Sequence, residues 1–225
     1  NKSAWSLSDK TLLGSCQITY DSTPPEAPSI VFPTEGQYFN SIPILNDWTD
    51  VSDTSGIKEY RIEYIYDDGH TFSGGPYRVT TLSQRNHVPN TSEQGGVTIR
   101  VQAIDNVGNE SAWSTPVHYF YDATKPSTPE VLGFNNPTTQ CGGYTNVKNT
   151  TVDWSDSDGT GSPIKGYEYQ INYPTTSGTR GLWTVFFNGA NSQYSGSLNE
   201  GRHYIRVRAQ DMAGNWSNWS QDWLT

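Results

Sequence analysis

The chain has 225 residues, 33% hydrophobic and 16% charged, and a formal net charge of −9 at pH 7; that length fits two small domains. A surface of that sign repels a phosphate backbone, so nucleic acid is not an expected partner. The longest apolar runs, such as Val185-Phe186-Phe187, fall far short of the roughly 20 residues of a membrane helix, and no membrane insertion is expected of this segment.

With 21 Gly, 13 Pro and a single Met among many Thr, Ser, Asn, Tyr and Trp, the composition favours strands and turns over helices, and an all-β fold is predicted. No basic then apolar leader opens the chain, so any export signal is expected upstream or already removed. The chain then repeats itself. Asn1-Lys2-Ser3-Ala4-Trp5-Ser6 matches Asn109-Glu110-Ser111-Ala112-Trp113-Ser114 and Asn215-Trp216-Ser217-Asn218-Trp219-Ser220, so residues 1–20 read as the last strand of an upstream repeat. Tyr20-Asp21-Ser22-Thr23-Pro24-Pro25 recurs as Tyr121-Asp122-Ala123-Thr124-Lys125-Pro126, Asp47-Trp48 as Asp153-Trp154, and Ile57-Lys58-Glu59-Tyr60 as Ile164-Lys165-Gly166-Tyr167. The predicted units are therefore residues 21–121 and 122–225.

Inside each unit the apolar period is two. Tyr60-Arg61-Ile62-Glu63-Tyr64 and Ile99-Arg100-Val101-Gln102-Ala103 alternate, as do Tyr167-Glu168-Tyr169-Gln170-Ile171 and Ile205-Arg206-Val207-Arg208-Ala209, which predicts strands with one buried and one wet face. Asp67-Asp68-Gly69 is a hairpin-turn signal. About seven such strands in roughly 100 residues make a two-sheet sandwich.

The early Trp (Trp48, Trp154), the Tyr on the following strand (Tyr60, Tyr167) and the late Ile-x-Val-x-Ala strand resemble tandem fibronectin type III or immunoglobulin-like domains. The Asp-x-x-Gly-Asn turns, the Trp-Ser pairs and the Asp-x-Thr-x-Pro linkers resemble repeats of bacterial surface and secreted proteins. That resemblance implies an extracellular, non-catalytic spacer, stalk or adhesin segment. The alternatives are a module binding a glycan or a surface protein, or an accessory part of a secreted polysaccharide-acting enzyme. Adjacent repeats of the same chain are the expected partners. The tyrosine-corner position holds Val97 and His203, a departure from the pattern. Trp216-Ser217-Asn218-Trp219-Ser220 also resembles the Trp-Ser-x-Trp-Ser motif of class I cytokine receptors, which implies a stack of Arg206 and Arg208 with Trp216 and Trp219. Arg100 and Trp113 offer a reduced version.

The sandwich connectivity implied by the resemblance puts the incoming linker and two loops at one pole of each unit. Asp21, Asp50, Asp53 and Asp105 would meet there in the first, and Asp122, Asp156, Asp158 and Asp211 in the second. Convergent carboxylates call for a cation, and Ca²⁺ takes such hard oxygens; the alternative is that each Asp caps its own turn. Asp156-Ser157-Asp158-Gly159 is only a fragment of a full calcium loop. His70, His87, His118 and His203 show no metal-ligand or triad spacing, and no nucleophile elbow or phosphate loop occurs, so no enzyme is expected. Trp183 and Trp223 are candidate sugar platforms if exposed. Asn-x-Ser/Thr sequons begin at Asn1, Asn90, Asn109, Asn149, Asn215 and Asn218, compatible with a surface location. Cys16 and Cys141 are expected to bond outside the chain, if at all.

Overall fold

The computed structural model describes residues 18–68, 77–81, 84–87, 94–134, 148–159, 161–174, 180–187, 189, 193–197 and 200–220. The upstream strand expected at residues 1–20 falls almost wholly outside them, as do Cys16, Cys141 and Trp223. Every regular element among the described residues is a strand.

The first unit is built from β1 (Ile30–Phe32), β2 (Gln37–Phe39), β3 (Ile44–Trp48), β4 (Ile57–Tyr66), β5 (Tyr77–Thr80), β6 (Gln84–His87), β7 (Gly95–Asp105) and β8 (Val117–Tyr121). Two sheets result, ordered β1-β3-β6 and β2-β8-β7-β4-β5. Eight strands appear rather than seven because the first one is broken: β1 pairs antiparallel with β3, whereas β2 crosses to the other sheet and runs parallel to β8. The break falls at Pro33 to Gly36, where proline offers no ladder donor and Gly36 takes φ of 72°, a conformation that disfavours side chains with a Cβ.

Alternation decides what the sheets bury. Tyr60, Ile62 and Tyr64 of β4 face Ala103, Val101 and Ile99 of β7 across the ladder, and all six are buried, while Arg61 and Glu63 lie on the opposite face of the sheet, where Glu63 is covered by its ion pair with Arg100. Trp48 closes the core against Tyr60 at 5.7 Å between ring centres. Burying each Ile or Val side chain contributes about 1.5–3 kcal/mol before chain entropy is counted.

The second unit comprises β9 (Val131–Phe134), β10 (Asn149–Trp154), β11 (Ile164–Pro174), β12 (Arg180–Phe187), β13 (Gln193–Ser197) and β14 (Tyr204–Asp211). Its sheets are ordered β13-β10-β9 and β12-β11-β14. A separate core of Val131, Val152, Trp154, Tyr167, Tyr169, Ile171, Val207 and Ala209 fills it. Trp154 meets Tyr167 at 5.9 Å, repeating the Trp48–Tyr60 contact. In both copies the tyrosine hydroxyl accepts a loop N–H, from Val51 at 3.2 Å and from Ser157 at 2.9 Å.

Candidate functional site

At the pole where the chain enters the first unit, three carboxylates converge. Asp21 arrives on the linker, Asp53 on the β3–β4 loop and Asp105 at the end of β7, and one oxygen from each lies within 4.8 Å of the others. Asp105 is wholly buried. Burial alone would raise its carboxyl above the usual range, but donors from Asn109, Gly108 and Val107 outweigh that and hold it below. Its Oδ1 accepts the N–H groups of Val107, Gly108 and Asn109 at 3.0, 2.6 and 2.8 Å, and its Oδ2 accepts Asn109 Nδ2 at 2.7 Å.

Asp53 is likewise held below its usual range, chiefly by the Ser55 N–H and hydroxyl, both 2.8 Å from Oδ1, while Asp105 pushes the other way. Asp21 Oδ1 accepts the Thr23 N–H at 3.0 Å. Its Oδ2 is buried and accepts nothing. Asp50 is exposed and stays outside the group.

The second unit repeats part of this arrangement. Asp122 Oδ1 accepts the Thr124 N–H at 2.8 Å, and its buried Oδ2 again has no partner. Asp211 is 1% exposed and is capped by Asn215 through the main-chain N–H at 2.8 Å and Nδ2 at 2.9 Å. No third carboxylate joins them among the described residues. In the corresponding loop of the second unit, Gly159 and Gly161 stand in the sequence near the place of Asp53. Gly161 has φ of 97° and packs so close to Asp122 that a Cβ would lie 2.5 Å from Oδ1. Asp156 and Asp158 are exposed, and Asp158 serves the linker instead: its N–H donates to Ser127 Oγ at 2.7 Å.

The arginine and tryptophan side chains form a second surface. Arg100 lies 4.6 Å over Trp113; in the second unit Arg208 sits 4.2 Å from Trp216 and 4.6 Å from Trp219, with Arg206 4.7 Å over Trp219. Sequence reasoning missed what the serines do. Ser114 and Ser111 each exchange two bonds with β7: the main-chain N–H donates to the Val101 or Ala103 carbonyl, and the hydroxyl accepts the N–H of that same residue. Ser220 and Ser217 do the same for Val207 and Ala209. The two-residue sheet period leaves an edge donor at every second position, and the spacing of the Trp-Ser pairs was the available signal.

Trp183 lies in β12 opposite Asn172, but its side chain, like the whole of Trp223, is outside the described set.

No protein-family model matches the chain, and no curated protein does. Solved structures do. Domains A168–A170 of titin match with a TM-score of 0.52 at 14% identity, over 89% of this chain and 67% of that one. Chicken CNTN1 FN1–FN3 domains give 0.44 at 15% identity, over 91% and 68%. Fibronectin(III)-like modules of Clostridium thermocellum CbhA give 0.40 at 16% identity, over 86% and 90%. At these identities the likeness speaks to fold alone, and the titin match is the one that carries it: the chain has an all-β fold of the fibronectin type III and immunoglobulin-like kind.

Proposed function

We propose that the chain is a non-catalytic, extracellular spacer segment that projects or links other domains of a surface or secreted protein, with its own neighbouring repeats as first partners. The observation that carries this reading is the joint between the two units, whose main chain is tied to both sides. Toward the first unit, the Asp122 N–H donates to the Phe39 carbonyl at 2.9 Å, and Gln94 Oε1 accepts both the Ala123 N–H and the Thr124 hydroxyl. Toward the second, Asn215 Nδ2 donates to the Asp122 carbonyl at 2.8 Å, and the Ser127 N–H donates to the Asp158 carbonyl at 3.2 Å. Pro126 and Pro129 are buried in the same stretch and fix φ at two more positions. A linker so held transmits orientation instead of acting as a free swivel.

Small-angle scattering of the chain tests this. A single extended distance distribution, unchanged by dilution, is expected. A distribution that only an ensemble of freely jointed units can fit would rule out the spacer role. Extracellular placement is tested by labelling intact cells of the host with an antibody to the chain, which must bind without permeabilisation.

A further inference from the structure

We propose that the edge strand β12 of the second unit pairs with β12 of a second copy of the chain, antiparallel about a two-fold axis at Val185. Two chains so joined run in opposite directions. The pairing stands on the strand itself; its setting, spacers that meet from facing surfaces, rests on the spacer reading.

β12 is the last strand of its sheet, ordered β12-β11-β14, and among the described residues no strand pairs with its other edge. Eight residues long, it reads Arg180-Gly181-Leu182-Trp183-Thr184-Val185-Phe186-Phe187, without proline and uncharged after its first residue. An edge of that length presents a row of N–H and C=O groups that templates another strand. The first unit treats the same edge differently. There β5 has only four residues, follows Pro76 and carries Arg78 opposite buried Ile62, at a core-face position. Shortness, proline and an inward charge each turn a further strand away, and β12 has none of them.

The register selects a second copy as the occupant. Trp183, Val185 and Phe187 stand opposite Asn172, Gln170 and Glu168, on the face where Gln170 and Glu168 meet Arg206 and Arg208. Thr184 and Phe186 stand opposite buried Ile171 and Tyr169, on the core face. Opposed residues of an antiparallel pair share a face. A two-fold axis at Val185 therefore sets Val185 against itself, Trp183 against the copy's Phe187 and Thr184 against its Phe186. Each Trp–Phe pair is of the aromatic cross-strand kind that stabilises a ladder, and no like charges meet although each chain carries −9. An axis at Trp183 loses this match, because Val185 would oppose Gly181 and Phe187 would fall beyond the strand. Four aromatic side chains of about 150–250 Å² each, covered on one side only, keep the buried area under the roughly 1,200 Å² of a stable interface. Weak pairing follows, with Kd on the order of 1 mM, so the chain is single in dilute solution. Ile164 at the start of β11 pairs with Asp211, which Asn215 ties to the linker. The strands thus run along the chain, and antiparallel pairing points the two chains oppositely.

Sedimentation equilibrium of the wild-type chain tests the pairing: about half the chains are expected in dimers at about 1 mM, and under about a tenth at about 20 µM. Val185→Lys sets two ammonium groups face to face on the axis and is expected to weaken dimerisation about tenfold or more. The register is read by cross-linking, in a chain that also carries Cys16→Ser and Cys141→Ser. With oxidised glutathione at about 0.2 mM protein, Val185→Cys should form disulfide dimers about tenfold faster than Leu132→Cys, whose exposed position lies on another strand. A wild-type chain wholly monomeric at about 1 mM would overturn the proposal. Val185→Cys linking no faster than Leu132→Cys would do the same, since any dimer would then use another surface. Should Val185→Lys fail to fold by circular dichroism, the wild-type sedimentation and the cross-linking decide. Dilute scattering keeps the two readings apart. Freely jointed units that still dimerise when concentrated sink the spacer alone, and stiff units that stay monomeric sink the pairing alone.

Discussion

His87 is a buried polar group inside the first core. It is 2% exposed, with Tyr119 Oη 2.6 Å from Nδ1, Tyr66 Oη 2.9 Å from Nε2 and the Tyr64 ring stacked on its face at 4.3 Å. Tyr64 in turn donates to Asn46 Oδ1 at 2.7 Å. Burial holds the Tyr119 hydroxyl well above the usual phenol range, so it stays neutral. Removing the imidazole leaves buried hydroxyls short of a partner, each at a cost of about 1–3 kcal/mol. His87→Phe is therefore expected to destabilise the first unit by about 2 kcal/mol or more in urea unfolding, despite keeping a ring on Tyr64; a change under about 0.5 kcal/mol would show that the hydroxyls find other partners. The second unit has Val152 and Ile171 where the first has Asn46 and Tyr64, so the effect belongs to one transition only. Asp105 adds a pH dependence of definite sign. Its folded carboxyl lies below the usual value, so its contribution is complete above the ordinary carboxyl range and is lost as pH falls through the folded value. The first unit should lose stability as pH falls below the ordinary carboxyl range, and Asp105→Asn should flatten that limb in melts recorded across acidic pH.

Elements inherit their edges from these residues. Beyond β7 and β14 the chain does not continue as a ladder strand at once; serines spaced three apart satisfy alternate donors while the tryptophans between them turn outward to the arginines. Ser220→Ala strands the buried Val207 N–H, which has only the Ser220 hydroxyl at 2.9 Å, and is expected to cost about 1–3 kcal/mol. Trp219→Ala removes contacts to two guanidinium groups and should cost about 1–2 kcal/mol; equal unfolding midpoints for mutant and parent would show the stack to be ornamental. The two units also solve one surface row differently. In the second, Arg208 on β14 bonds Glu168 at 2.8 Å and stacks on Trp216. In the first, the cation has moved to the neighbouring strand as Arg61, which reaches Gln102 at 3.0 Å and Glu110 at 3.1 Å, and Glu110 stands where Trp216 stands in the other copy. Much of this was legible in the sequence, because period-two alternation fixes which side chains share a face. The serine clamps were legible only as a repeated spacing of three, Ser111 and Ser114 then Ser217 and Ser220, which marks the positions but not that each hydroxyl accepts from the adjoining strand. Nor could spacing choose between Asp50 and Asp53; a loop of several residues can present either, and only the path of the β3–β4 connection excludes the exposed one. For Asp105 the two readings of the sequence are not exclusive: the same carboxylate caps its own turn and faces the cluster.

At the scale of the molecule, one side chain ties the joint to a turn of the second unit. Asn215 Nδ2 bridges Asp211 Oδ2 and the Asp122 carbonyl, so it couples a turn of the second unit to the linker itself. Asn215→Ala is expected to leave each unit folded, with little change in either melting transition beyond about 1 kcal/mol, yet to broaden the distance distribution in scattering. An unchanged distribution would place the stiffness in the buried prolines instead. The broken first strand has a further consequence for load. Because β2 runs parallel to β8, and the pairing is extended by the Gly36 N–H to His118 carbonyl bond at 2.7 Å and the Asp122 N–H to Phe39 carbonyl bond at 2.9 Å, tension applied at the two ends of the first unit pulls neighbouring strands past each other lengthwise. Their bonds are then strained together rather than unzipped one by one, so the unit meets tension along the chain where its terminal strands are most evenly matched.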